Sequence, residues 1–178
     1  MTTMDANLLA RAQAIKLLIC DVDGVLTDGS VFLGNDQEEL KAFNIKDGFG
    51  LRAIQKFGIE VALITGRHSR LVERRAAELD IRHVYQGNAN KRGAFADLLS
   101  KLQLTPAQVA HFGDDLPDLP LLKQVGLAAA PADAHAVVRE HAHFLSQATG
   151  GRGAVRELCD LLLQAQGHWP ALLAEYQP

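Results

Sequence analysis

Asp21-Val22-Asp23-Gly24 stands directly after an apolar run, Leu17-Leu18-Ile19-Cys20. Two carboxylates at the end of what reads as a fully buried strand are costly unless a counter-charge compensates them. A second acidic group, Gly113-Asp114-Asp115 with Asp118 one turn on, follows a second apolar run, Val109-Ala110-His111-Phe112. Between the two groups lie Thr65-Gly66-Arg67, after the run 59–64, and Asn88, Asn90 and Lys91, after His83-Val84-Tyr85. Three carboxylates with few basic neighbours form a hard-oxygen site of the kind Mg²⁺ takes. A carboxylate can attack phosphorus and form an aspartyl-phosphate, dividing a hydrolysis into two steps. A second acid two residues away in an extended segment points to the same side, where it can protonate the leaving alcohol and then activate water. Thr and Lys can hold the phosphoryl oxygens. Phosphoryl transfer asks mainly for positioning and charge stabilisation, so these residue types suffice in kind.

These residues need elements to carry them. A short, weakly amphipathic helix is expected over 5–15, within a lead-in segment 1–15. Residues 16–21, 59–65, 83–85, 109–112 and 126–130 read as strands, with 144–145 as an edge strand. Residues 30–45 suggest a β-hairpin turning at Gly34-Asn35-Asp36. Asp47 is placed to cap a helix through Leu51, Ile54 and Phe57 that Gly58 stops. Further helices are expected over 69–79 and 91–103, and from Gly153 to about Ala165. Thr105-Pro106-Ala107-Gln108 has capping-box spacing, with Pro at the first helical position. Strand alternating with helix implies an α/β doubly wound parallel sheet, which binds ligands at the carboxyl ends of its strands. All the chemistry-bearing residues fall on that edge. The single domain is expected over 16–167, with 168–178 as a C-terminal tail.

The bulk properties bound the reading. The chain has 178 residues, 48% hydrophobic and 22% charged, with a net charge of −3. That suits one domain and offers no general attraction for nucleic acid or anionic membranes. Cys20 and Cys159 form no CxxC pair, which argues against a disulfide framework or structural zinc and fits a reducing compartment. No apolar run approaches the ~18–20 residues of a membrane span, and the start shows no secretory pattern, so a cytoplasmic location is expected. Cys20 is not a phosphatase nucleophile of the Cys-x5-Arg type, because the sixth residue on is Leu26. It reads as a small core residue. His111 reads as a core histidine with its hydrogen bonds satisfied.

The four segments resemble, in order, the four signature motifs of the haloacid dehalogenase superfamily of phosphatases. The resemblance implies that Asp21 is nucleophile and Mg²⁺ ligand. It makes Asp23 the general acid/base, with its backbone carbonyl on the metal, and Asp114 the third protein ligand. Thr65 and Lys91 would be catalytic, with Asp115 and Asp118 in support, Asp118 orienting Lys91 or a metal-bound water. The segments 43–50, 64–67, 85–88 and 150–157 further resemble the capless 3-deoxy-D-manno-octulosonate 8-phosphate phosphatase family, from about residue 10 to 167. That family resemblance implies a homotetramer in which a neighbouring subunit covers each active site and the glycine-rich tail can fold over it. It also implies a phosphorylated 2-keto sugar acid as substrate and a product that feeds lipopolysaccharide synthesis. Gly66, Arg67, Asn90 and Arg75 are then expected to bind substrate, Arg75 on the same helical face as Arg67 and reaching across a subunit boundary. Arg67 tilts the choice towards the eight-carbon acid, since the relatives acting on a nine-carbon sialic-type acid carry an acid there. A phosphate-sensing receiver-like domain uses similar residues on a similar sheet. Here the D-x-D pair lies at the first strand and the paired acids come after the Lys, which argues against that reading.

Overall fold

The computed structural model describes residues 5–35, 39–87 and 90–177. Six strands form one parallel sheet in the order β5-β4-β1-β6-β7-β8. They are β1 (Leu17–Cys20), β4 (Glu60–Ile64), β5 (His83–Tyr85), β6 (Val109–Phe112), β7 (Leu127–Ala130) and β8 (Phe144–Leu145). β1 lies between β4 and β6, with Leu17 facing Glu60 on one side and Val109 on the other. From β1 the chain builds outward to β4 and β5, then crosses back to build β6, β7 and β8. The strand order therefore reverses beside β1, and a crevice opens at the carboxyl ends of β1, β4 and β6.

The central strands are largely apolar, His111 of β6 and Glu60 at the start of β4 apart, because both faces of the sheet are covered. Alternate residues go to opposite cores. Leu18, Cys20, Leu63, Ala110 and Phe112 pack in one, with buried residues of α1 (Ala6–Gln13), α2 (Ile45–Lys56), α3 (Arg70–Glu78) and α7 (Ala154–Ala165). Leu17, Ile19, Ala62, Ile64, Val109 and Ala128 pack in the other, with those of α4 (Lys91–Leu102), α5 (Leu119–Leu122) and α6 (Ala136–His141). α7 buries Val155, Leu158, Cys159, Leu162 and Leu163, a helical stripe turned onto the sheet.

Several expected boundaries move. Asn44, not Asp47, caps α2, its side chain accepting from the Lys46 N–H at 2.8 Å. Asp47 lies buried inside that helix and accepts from the N–H groups of Gly153 and Arg156 at 3.2 and 2.8 Å. It thus serves the start of α7 rather than its own helix, a tertiary role that local spacing cannot show. The capping box at Thr105 opens only one 3₁₀ turn, Pro106–Gln108. The tail forms a short helix, α8 (Trp169–Ala174), with Pro170 in its first turn. The hairpin is two short antiparallel strands, β2 (Phe32–Leu33) and β3 (Glu39–Leu40). Its expected turn reaches Asp36, outside the described residues.

The glycine-rich segment lies against the loop after β1. The Gly151 N–H donates to Val25 C=O at 2.9 Å, and Arg152 pairs with Asp28 at 3.1 Å. A Cβ on Gly150 would stand 1.9 Å from the Gly24 carbonyl oxygen. The obstacle is backbone, so it cannot swing aside. Gly150→Ala should therefore cost about 2–4 kcal/mol of stability and displace the 21–27 loop, read as a fall in both melting temperature and activity. An unchanged melting curve would show that the segment is not docked there.

Candidate active site

The loop after β1 is wound tightly. The Asp21 N–H continues the sheet to Phe112 C=O at 3.0 Å, and Val22 C=O then accepts from the N–H groups of Leu26 and Thr27 at 2.9 and 3.1 Å. Buried Val22, Val25 and Leu26 anchor this turn, which leaves Asp21 and Asp23 at its mouth. Gly24 follows at φ +89°, and a Cβ there would meet Asp114 Oδ2 at 2.1 Å. The glycine of the D-x-D-G segment is thus where the loops after β1 and β6 touch.

Asp21, Asp23, Thr65, Gly66, Arg67, Lys91, Asp114 and Asp115 line one cavity of about 410 Å³. A larger cavity of about 490 Å³ lies beside the start of β4. Four of its charged side chains pair among themselves, Arg52 with Asp80 and Lys56 with Glu175, and among the described residues its lining brings no cluster of carboxylates together. The acidic cavity is therefore the candidate site.

Lys91 is the first residue of α4 and is buried. Its Nζ lies 2.9 Å from Asp21 Oδ2 and 2.6 Å from Asp118 Oδ1. Burial works to lower the Lys91 pKa, but the two flanking carboxylates outweigh it and hold the ammonium charged. Burial likewise works to raise Asp118. Hydrogen bonds from His111 and Lys91, with the Lys91 charge, override it and hold its pKa well below the usual carboxylate value. Asp21 is raised by burial first and by the Asp118 charge second, against Lys91 and the Val22 N–H. Asp114 is pushed up to about 7 by burial and then by the charges of Asp21, Asp118 and Asp115.

Asp114 Oδ1 is buried and has no hydrogen-bond partner. Asp21, Asp114 and Asp118 each offer an oxygen, all within 4.8 Å of one another. Three carboxylates around one ammonium leave a negative excess that suits a hard divalent cation. The Asp118 oxygens already accept from His111, Lys91 and the N–H groups of Asp114 and Asp115. Asp21 and Asp114 are the side chains left to hold an ion.

The remaining expected residues divide. Thr65 is buried at the end of β4 and Gly66 is exposed beside it. Arg67 stands at the mouth, half exposed, 3.7 Å from Asp23 and 3.1 Å from Glu39. Asp115 caps the following turn, accepting from the Leu116 N–H at 2.8 Å. Asn90 caps α4, accepting from the Arg92 N–H at 3.2 Å. Asn88 lies outside the described residues. Arg75 is not brought to the cavity: its guanidinium reaches Asn44 C=O and Glu78 at 3.3 Å and lies over the Phe43 ring. The shared-face expectation fails because Arg67 precedes α3 rather than lying on it.

Three residues at the site carried no expectation of this kind. Lys41, its side chain fully buried, ion-pairs with Asp23. Glu39 accepts from Ser69 Oγ at 2.7 Å, which with Arg67 holds its carboxyl below the usual range. His111 reaches Asp118 at 2.8 Å, but its Nδ1 has no partner, so it is only half satisfied. Lys41 stands just after β3, next to the exposed Leu40, and no local sequence pattern marks it as turned towards the acids.

Residues 81–158 match a family model described as haloacid dehalogenase-like hydrolase. The 3-deoxy-D-manno-octulosonate 8-phosphate phosphatase KdsC of Escherichia coli (strain K12) is 55% identical over 164 residues, 92% of this chain and 87% of that protein. The crystal structure of the phosphatase of that name from Yersinia pestis superposes with a TM-score of 0.92 at 52% identity, covering 93% of this chain and 89% of that one. A Moraxella catarrhalis structure, in complex with magnesium ion, phosphate ion and KDO molecule, superposes at 0.95 with 40% identity, covering 98% and 100%. With the cavity and the capless parallel sheet, these likenesses place the chain in the 3-deoxy-D-manno-octulosonate 8-phosphate phosphatase family of the haloacid dehalogenase-like hydrolases.

Proposed function

We propose that the chain hydrolyses 3-deoxy-D-manno-octulosonate 8-phosphate to the free sugar acid and phosphate, with Asp21 as nucleophile. The observation that carries this is the Asp21 carboxylate, set 2.9 Å from the Lys91 ammonium and beside the unpartnered Asp114 oxygen. An Asp21 oxygen attacks phosphorus, and the bond from phosphorus to the sugar oxygen breaks. Asp23 gives its proton to that oxygen. It then takes a proton from the water that attacks the aspartyl-phosphate, releasing phosphate and restoring Asp21. Lys91 and Thr65 hold the phosphoryl oxygens, while Lys41 and Arg67 hold Asp23 in place. Asp21, Asp114 and the Asp23 carbonyl hold Mg²⁺, which when bound supplies charge stabilisation to the transferring group.

Arg67 reads the sugar acid at the mouth, in competition with Glu39. Phe32, Leu33 and Leu40 stand exposed on the hairpin, which supports burial against further copies of the chain in a homotetramer whose neighbour covers the site. Arg75 and Asn90 are then left as a strut and a cap. No helix among the described residues is long and apolar enough to cross a membrane. Cys20 and Cys159 are free thiols, and we place the protein in the cytoplasm, where it would supply lipopolysaccharide precursors.

Phosphate release with Mg²⁺ and with EDTA, from this sugar acid phosphate, a nine-carbon sialic-type 9-phosphate and hexose phosphates, tests the assignment. Mg²⁺-dependent preference for the eight-carbon acid is expected. Preference for another ester would discard the substrate and keep the chemistry. Arg67→Ala should raise KM about tenfold for the sugar acid and little for an aryl phosphate. Equal effects on both would remove Arg67 from recognition.

The cation has a signature apart from turnover. A carboxyl raised to about 7 stabilises the ion-free protein below its unfolded value and loses that contribution as pH rises through 7. Mg²⁺ offsets the resulting repulsion, so its stabilisation of the melting temperature should be larger at pH 8 than at pH 6. Its affinity should fall about tenfold per pH unit below 7. Equal Mg²⁺ shifts at both pH values would take Asp114 out of the site.

A further inference from the structure

His111 is a fully buried polar ring in β6. Strand alternation puts it on the Val109 face of the sheet, the face that α4 and α5 cover. A buried polar group without partners is costly, so a histidine here needs a reason. Its Nε2 lies 2.8 Å from Asp118 Oδ1, while Nδ1 has no partner. A hydrogen on Nδ1 would be a buried donor with no acceptor. The tautomer that fits carries its hydrogen on Nε2 and donates it to Asp118.

That same oxygen accepts from Lys91 Nζ at 2.6 Å, and Asp118 Oδ2 accepts from the N–H groups of Asp114 and Asp115 at 3.2 and 3.4 Å. Lys91 in turn stands 2.9 Å from Asp21. One connected chain thus runs from the central sheet through His111, Asp118 and Lys91 to the carboxylate at the cavity.

We propose that His111 is a positioning residue for the reaction: by donating to Asp118 it shares that carboxylate with Lys91 and leaves the ammonium free to serve Asp21 and the phosphoryl group. Without this donation Oδ1 has Lys91 as its one partner. Asp118 then draws the ammonium towards itself, away from Asp21. The inference rests on the role proposed for Lys91. It adds that the strand beneath the site, and not only the loops above it, sets how Lys91 divides its charge.

The test uses the whole protein with Mg²⁺ and compares His111→Gln, His111→Asn and His111→Phe in kcat, KM and melting temperature. A Gln amide can put its N–H where Nε2 stands; the shorter Asn puts it near Nδ1. We expect His111→Gln to keep kcat within about threefold, and His111→Asn and His111→Phe to lose about ten- to thirtyfold in kcat with KM nearly unchanged. The two amides bury similar polarity, so a merely structural role moves them together. Equal kcat in the Gln and Asn variants, or full kcat in the Phe variant, would overturn the proposal. If the Phe variant does not fold, the Gln–Asn pair decides. The unmodified protein is run alongside on the sugar acid phosphate and on an aryl phosphate. Activity on the aryl ester alone discards the substrate, and the comparison of variants then proceeds on that ester.

Discussion

Like charges crowded at one edge of a sheet govern this molecule. Asp21, Asp114 and Asp118 bring carboxylate oxygens within 4.8 Å of one another, with Lys91 as the one ammonium between Asp21 and Asp118. Burial strengthens the repulsion as much as the attraction. The protein divides the load unequally. Asp118 is surrounded by donors and stays ionised, whereas Asp114 is left with an unpartnered oxygen and a pKa near 7. Such an arrangement is poised for a cation and a phosphoryl group rather than for rest.

Holding the charges there requires stiff loops, and the fold supplies them from behind. Val22 gathers the turn after β1, Gly24 lets Asp114 approach, and Gly150 and Gly151 pack on the same turn from the far side. Asp47 ties that buttress to α2 through the start of α7. The glycine-rich segment resembles a lid in sequence, but its contacts are those of a support. Its flexibility as a peptide and its close packing both follow from the missing Cβ.

The parallel sheet, the site at the carboxyl ends of its strands and the acid cluster were legible because continuous apolar runs ending in Asp and Gly have few other readings. Residues carried by backbone position alone, such as Asp21, Thr65, Lys91 and Asp114, fell where the strand ends put them. Those whose contacts come from elsewhere in the chain did not. Asp47 looked like a cap for its own helix, Arg75 like a partner of Arg67, and His111 like a finished core residue. Each depends on which surface packs against it, and a local pattern carries no such information. Lys41 was hidden in the same way: its partner, Asp23, lies in the loop after β1, on the other side of the hairpin in sequence.

The most direct test is acid quenching during turnover of a phosphate-labelled ester with Mg²⁺, followed by mapping of the labelled peptide. Label should appear on the peptide carrying Asp21, be lost to hydroxylamine as an acyl phosphate is, and be absent from Asp21→Asn, whose kcat should fall by roughly four orders of magnitude. Label on another residue, or an Asp21→Asn protein that still turns over normally, would contradict the account.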